Sequence, residues 1–309
     1  MRWSAEERAG DRGNCRARPH TARALRKNVP MDAHDVNTPR RGLAALLLST
    51  LFGAPARARP APVTAGPSAR VGIVLLHGIG ATGASMEPLA ARLRQAGWAV
   101  STPDLPYGGP AAFSQPVDTA ERIVLGELEK LRRGGAERLV LAGFSLGGFF
   151  AAHMAGRTPV DALVAIAPNG GSDMKQLEDQ LARARELIAQ GRGQERTLLK
   201  DADVVGPGRH DLPNATPAAY VTWFDPAGVM NWRAVWQRLR PGTPVFLVVP
   251  TKDLANLRKV KRELWEGLPD HPANRLYEPR SDHLGASMAA ADAAIAWLRE
   301  TVGARTTSR

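Results

Sequence analysis

The chain has 309 residues, enough for one large α/β domain or two small ones around a sizeable core, with an ordinary globular content of 44% apolar and 23% charged residues. Its net charge of +11 invites a nucleic-acid partner, but residues 1–58 hold 11 Lys/Arg against 5 Asp/Glu, so more than half of the excess lies there. Residues 59–309 carry only about +5 with no block of like charge, which argues against nucleic acid, and the single cysteine, Cys15, leaves the body without disulfides or thiolate metal ligands.

Arg40-Arg41 precedes an apolar run, Gly42 to Phe52, and then Ala56-Arg57-Ala58. A positive segment, about a dozen apolar residues and an Ala-x-Ala site form the pattern of a secretory signal peptide, with Met31 a more normal start than Met1. Cleavage is expected after Ala58, with Ala54-Pro55-Ala56 the second choice, giving a periplasmic or secreted product. The alternative is a disordered basic tail before a short buried helix, on a cytoplasmic protein. The apolar run is shorter than the roughly 20 residues that span a bilayer, so no transmembrane segment is expected in the mature protein. Residues 59–70, with three prolines, read as a linker.

From Val71 onward, apolar runs alternate with helical patterns. Strands are predicted at 71–76, 98–102, 138–142, 162–167, 244–249 and 274–278. Their continuous apolar character fits strands buried on both faces of a mostly parallel sheet. Helices are predicted at 85–96, 118–132, 146–156, 254–267 and 285–301. The 76 residues between the fourth and fifth strands exceed what a crossover needs. An insertion over 169–242 is therefore expected, with a helix at 173–190 capped by Ser172 and an aromatic-rich stretch from Tyr220 to Trp236 forming a cap over the sheet.

Gly143-Phe144-Ser145-Leu146-Gly147 follows the third strand directly and precedes a helical run. A serine on a sharp strand-to-helix turn stands above the sheet, small neighbours relieve the crowding, and the helix N-terminus offers N–H groups to a developing oxyanion. His77-Gly78-Ile79-Gly80 follows the first strand. With these two motifs the sequence resembles the α/β-hydrolase family over roughly residues 71–168 and 243–300. That resemblance implies an α/β-hydrolase fold with an oxyanion hole from the backbone N–H groups of Leu146 and Ile79, Gly80 being the neighbouring candidate. His77 would shape its loop.

The family's chain order of Ser, acid, His then selects among the seven histidines. His283, in Ser281-Asp282-His283-Leu284-Gly285, lies in the loop after the last strand, where the family carries its base. Asp253 follows the fifth strand and is the acid of choice; Asp225, in Trp223-Phe224-Asp225-Pro226, is its rival. The expected function is a serine hydrolase that cleaves a small ester through an acyl-enzyme. The same triad would also serve a thioesterase, a lactonase or an acyltransferase. A non-catalytic binding protein of the same fold is less well supported, since the set Ser145, Asp253, His283 is intact. No cofactor is called for. Gly78-Ile79-Gly80-Ala81-Thr82-Gly83, with Asp104 about 20 residues on, also matches a dinucleotide fingerprint, but the oxyanion loop accounts for the same residues. No metal-ligand spacing occurs.

Overall fold

A computed structural model describes residues 70–110, 112–169, 174–202 and 209–303. The expected signal peptide, its cleavage site and the linker up to residue 69 lie outside the described residues, as does the predicted cap residue Ser172. The apolar segment Val71–Leu76 forms strand β1, and Glu87–Gln95 forms helix α1, entered through a 3₁₀ turn at Gly83–Met86. Strand β2 is short, Ala99–Ser101, and helix α2 runs from Val117 to Arg133. Ala120, Val124 and Leu128 recur at four-residue spacing on α2 and are the residues it buries, as an amphipathic helix on a sheet requires.

Strand β3 (Arg138–Phe144) leads into helix α3 (Leu146–Arg157), whose residues from Leu146 to Ala155 are all buried. That explains its lack of a polar face: it packs between the sheet and the cap. Strand β4 (Ala162–Ile166) is followed by the insertion. It contains a 3₁₀ turn at Met174–Leu177, helix α4 (Glu178–Ala189), an antiparallel hairpin of β5 (Leu199–Ala202) and β6 (Arg209–Leu212), and short helices α5 (Pro217–Trp223) and α6 (Trp232–Gln237). The chain then returns to the sheet through β7 (Val245–Val248), α7 (Ala255–Glu266) and β8 (Arg275–Tyr277). It closes on α8 (Ala286–Ala289) and α9 (Ala291–Thr301).

The main sheet has six strands in the order β2-β1-β3-β4-β7-β8, all parallel. Its register aligns Leu76 with Gly143, Phe144 with Ile166, Ile166 with Val248 and Val248 with Tyr277. The C-terminal ends of five strands therefore share one edge, where open α/β sheets present their ligand sites.

The structure differs from the sequence expectation in three local respects. The hairpin β5–β6 stands between the expected helix and the aromatic-rich stretch, where no strand is predicted. The long insertion helix begins as a 3₁₀ turn and becomes α-helical only at Glu178. The last helix is two, divided at Ala290. The insertion aromatics are core: Tyr220, Trp223 and Phe224 are fully buried. Trp223 contacts Tyr107, Phe113 and Phe150 in tilted and edge-on pairs and donates its Nε1–H to the Gln115 carbonyl at 2.8 Å. Thr222 Oγ1 accepts the Val117 N–H at 3.0 Å. Burial of such rings contributes about 1.5–3 kcal/mol each, which fastens the cap to the loop ahead of α2.

Candidate active site

Ser145 occupies the turn between β3 and α3 with φ 54° and ψ −124°. A non-glycine residue in that region is strained and persists only where its surroundings hold it. The Ser145 N–H donates to the Ile166 carbonyl at 2.9 Å, while its own carbonyl accepts from Phe149 at 3.1 Å. The flanking glycines answer to space. A Cβ at Gly143 would stand 2.3 Å from the Gly147 carbonyl oxygen, and one at Gly147 2.3 Å from the His77 oxygen. The turn therefore cannot close with larger residues at either position.

Beyond β7 and β8 the pairing continues into the loops. Thr251 N–H donates to the Pro279 carbonyl at 2.9 Å, Lys252 N–H to the Ser281 carbonyl at 3.1 Å, and an isolated parallel bridge joins Lys252 to Asp282. These bonds hold the residues that follow, Asp253 and His283, side by side. Asp253 is buried, and its Oδ1 accepts from His283 Nδ1 at 2.7 Å and from the Leu254 N–H at 2.6 Å. The other ring nitrogen, Nε2, lies 2.9 Å from Ser145 Oγ. Phe144 packs obliquely on the imidazole, with ring centroids 4.9 Å apart. The structure thus brings Ser145, His283 and Asp253 into one hydrogen-bonded chain.

Asp225 is elsewhere. It is exposed, and its Oδ1 accepts the Ala227 N–H at 2.8 Å in the turn after α5. Asp282 is likewise an exposed loop residue that accepts from Gly285.

Around Ser145 Oγ, the backbone N–H groups divide cleanly. Gly80 N–H donates to the Tyr107 carbonyl at 3.1 Å and Ala81 N–H to Gly78 at 3.3 Å, so both are engaged. Ile79 N–H makes no bond within the described residues, and Leu146 N–H heads α3, where a helix leaves its first donors without intrahelical partners. Both residues line the clefts that open at Ser145.

His77 is fully buried; its Nδ1–H donates to the Gly78 carbonyl at 2.8 Å and its Nε2 accepts the Leu105 N–H at 3.1 Å. Burial pushes its pKa below the ordinary histidine value, against the opposing pull of the Gly78 carbonyl and Asp104. It shapes the loop as a neutral ring. Asp104 accepts the Gly83 N–H at 2.7 Å, so the acid of the dinucleotide-like motif ties that loop together. His153 is buried on α3 against Glu121, 2.7 Å away. No group of three or more metal-ligating side chains occurs among the described residues.

Two clefts meet at Ser145 and His283, of about 430 and 530 Å³. Sequence reasoning did not single out Met86 and Met288 on the first, or Phe113 and Asn169 on the second. Asn169 was within reach of such reasoning, because it sits just past a parallel strand in the sheet; it accepts from Asn256 Nδ2 at 3.0 Å.

Residues 73–300 match the sequence family described as the alpha/beta hydrolase family. The chain belongs to that family. Solved structures agree on the fold of this alpha/beta hydrolase. A structure of DcsB in complex with its substrate analogue superposes with a TM-score of 0.60 at 18% identity, over 76% of this chain and 92% of that one. A monoacylglycerol lipase from Paleococcus ferrophilus gives 0.55 at 22% identity, over 76% and 97%. A structure from work on LipS and LipT, two metagenome-derived lipolytic enzymes, gives 0.55 at 18%, over 75% and 95%. At such identities the likeness is one of fold. No curated protein sequence matches this chain.

Proposed function

We propose that this alpha/beta hydrolase cleaves carboxylic esters of small molecules through an acyl-enzyme on Ser145. The observation that carries this reading is the unbroken chain from Asp253 Oδ1 to His283 Nδ1 and from Nε2 to Ser145 Oγ, at 2.7 and 2.9 Å. In this mechanism His283 takes the serine proton as Oγ attacks the carbonyl, then passes it to the leaving alcohol. Asp253 holds the imidazole tautomer and stabilises the imidazolium. The N–H groups of Ile79 and Leu146 would receive the oxyanion. Water activated by His283 completes the cycle. The lipolytic activities named for two of the structural neighbours agree with this reading without specifying a substrate.

The test uses a fluorophosphonate probe and p-nitrophenyl esters. Ser145→Ala should lose both labelling and hydrolysis while circular dichroism stays native. His283→Ala and Asp253→Asn should each lower kcat by about 10³–10⁴-fold, with the double variant far less impaired than the product of the two, because triad members act as a unit. Asp225→Asn should run near the wild-type rate. Labelling that survives in folded Ser145→Ala would remove this serine from the chemistry.

The N-terminal pattern supports export with cleavage after Ala58. Expressed at full length in a bacterial host, the protein should be recovered from the periplasm beginning at Arg59. Recovery of a cytoplasmic product with its leader intact would overturn this.

A further inference from the structure

Among the described residues, two openings reach Ser145 and His283. The larger runs beneath the cap, where Phe113, Asn169, Met230 and Leu254 line it beside Ser145 and Leu146. The smaller lies outside the cap, between the oxyanion loop with α1 on one side and α8 on the other. Ile79, Met86, Leu89, Phe144, Leu284 and Met288 form its walls, and Ser145 and His283 its inner end. Among the described residues, Ser85 and Ser287 are its only other polar side chains, and Ser85 Oγ already donates to the Thr82 carbonyl.

The exposure of its rim is informative. Leu284 is 83% exposed, Ile79 47% and Met288 45%, all on this one cleft. Isolated apolar side chains on a surface need no explanation, but a contiguous set converging on a nucleophile marks a surface that is covered in use. Because Ser145 and His283 form its inner end, an alkyl chain joined to the reacting carbonyl can lie along these apolar walls. Met86 and Met288, unbranched and polarisable, suit a chain of variable shape.

We propose that the cleft between the oxyanion loop and α8 binds an unbranched alkyl arm of the ester, with Met288 setting its length, while the other arm lies beneath the cap. The preferred substrates are then esters with bulk on both sides of the carbonyl, and acetyl or methyl esters are poor ones. This rests on the ester-hydrolase reading above and adds to it where one arm goes.

The test is kcat/KM over two series: p-nitrophenyl esters of lengthening acyl chain, and acetates of lengthening alcohol. In the series whose chain enters the cleft, kcat/KM should climb by about four-fold per methylene and then level off once the cleft is filled. Met288→Trp should move the levelling point to shorter chains and lower the ratio of octyl to two-carbon substrate at least ten-fold. Met288→Ala should move it to longer ones. Leu125→Ala, at an exposed apolar residue of α2 that lines neither cleft, should keep the wild-type profile. If esters are hydrolysed in a Ser145-dependent way but both series are flat, or both Met288 variants keep the wild-type profile, the cleft assignment falls and the hydrolase reading stands. If no ester is turned over and Ser145 resists the probe, both fall together.

Discussion

Ser145 carries a conformational cost that the rest of the turn has to meet. At φ 54° and ψ −124° its Cβ crowds the backbone, a strain of about 1–3 kcal/mol, and the bonds to Ile166 and Phe149 hold it there. Glycine would relieve that strain at an entropic cost of roughly 0.5–1 kcal/mol, whereas alanine keeps the Cβ and relieves nothing. Ser145→Gly should therefore be inactive yet more stable than Ser145→Ala by about 1 kcal/mol, or about 2–4 °C in Tm for a domain of this size. Thermal unfolding of the two variants checks it. A Gly variant that melts below the Ala variant would mean that the turn is not strained.

At the level of elements, legibility followed apolar content. β1 and β4 were readable because Val71–Leu76 and Ala162–Ile166 are continuous apolar runs buried on both faces. The hairpin β5–β6 was not, because Leu199-Lys200-Asp201-Ala202 and Arg209-His210-Asp211-Leu212 lack the alternating pattern of a half-buried strand. The break between α8 and α9 at Ala290 has no glycine or proline to announce it. Ser145 and His283 could be singled out from their setting at strand ends. Asp253 was preferred to Asp225 because it follows a sheet strand, and the pairing of the loops beyond β7 and β8 sets it beside His283. The two clefts were invisible, since Met86, Met288 and Phe113 come together from segments far apart in the chain.

At the scale of the whole molecule, the buried ring of His77 ties folding to pH. His77 lies where β1, the loop that follows it and the segment at Leu105 meet, and its Nε2 must stay unprotonated to accept the Leu105 N–H. Its pKa is lowered in the folded state, chiefly by burial. The unfolded chain takes up a proton on this residue near its ordinary value of about 6.5, while the folded protein does not. Stability from this group is thus complete above that pH and is lost as pH falls below it, by at most about 1.4 kcal/mol per pH unit for one proton. Glu121, whose pKa is lowered chiefly by its hydrogen bond with His153, adds a loss of the same sign only at pH below its ordinary value of 4.5. The two windows are therefore separable. Urea unfolding at pH 7.5, 6.5 and 5.5 should give midpoints that fall on acidification in the wild type. In His77→Gln the overall midpoint should be lower but the fall between pH 6.5 and 5.5 shallower, because the titrating ring is gone. An equally steep fall in that variant would assign the acid sensitivity to other groups.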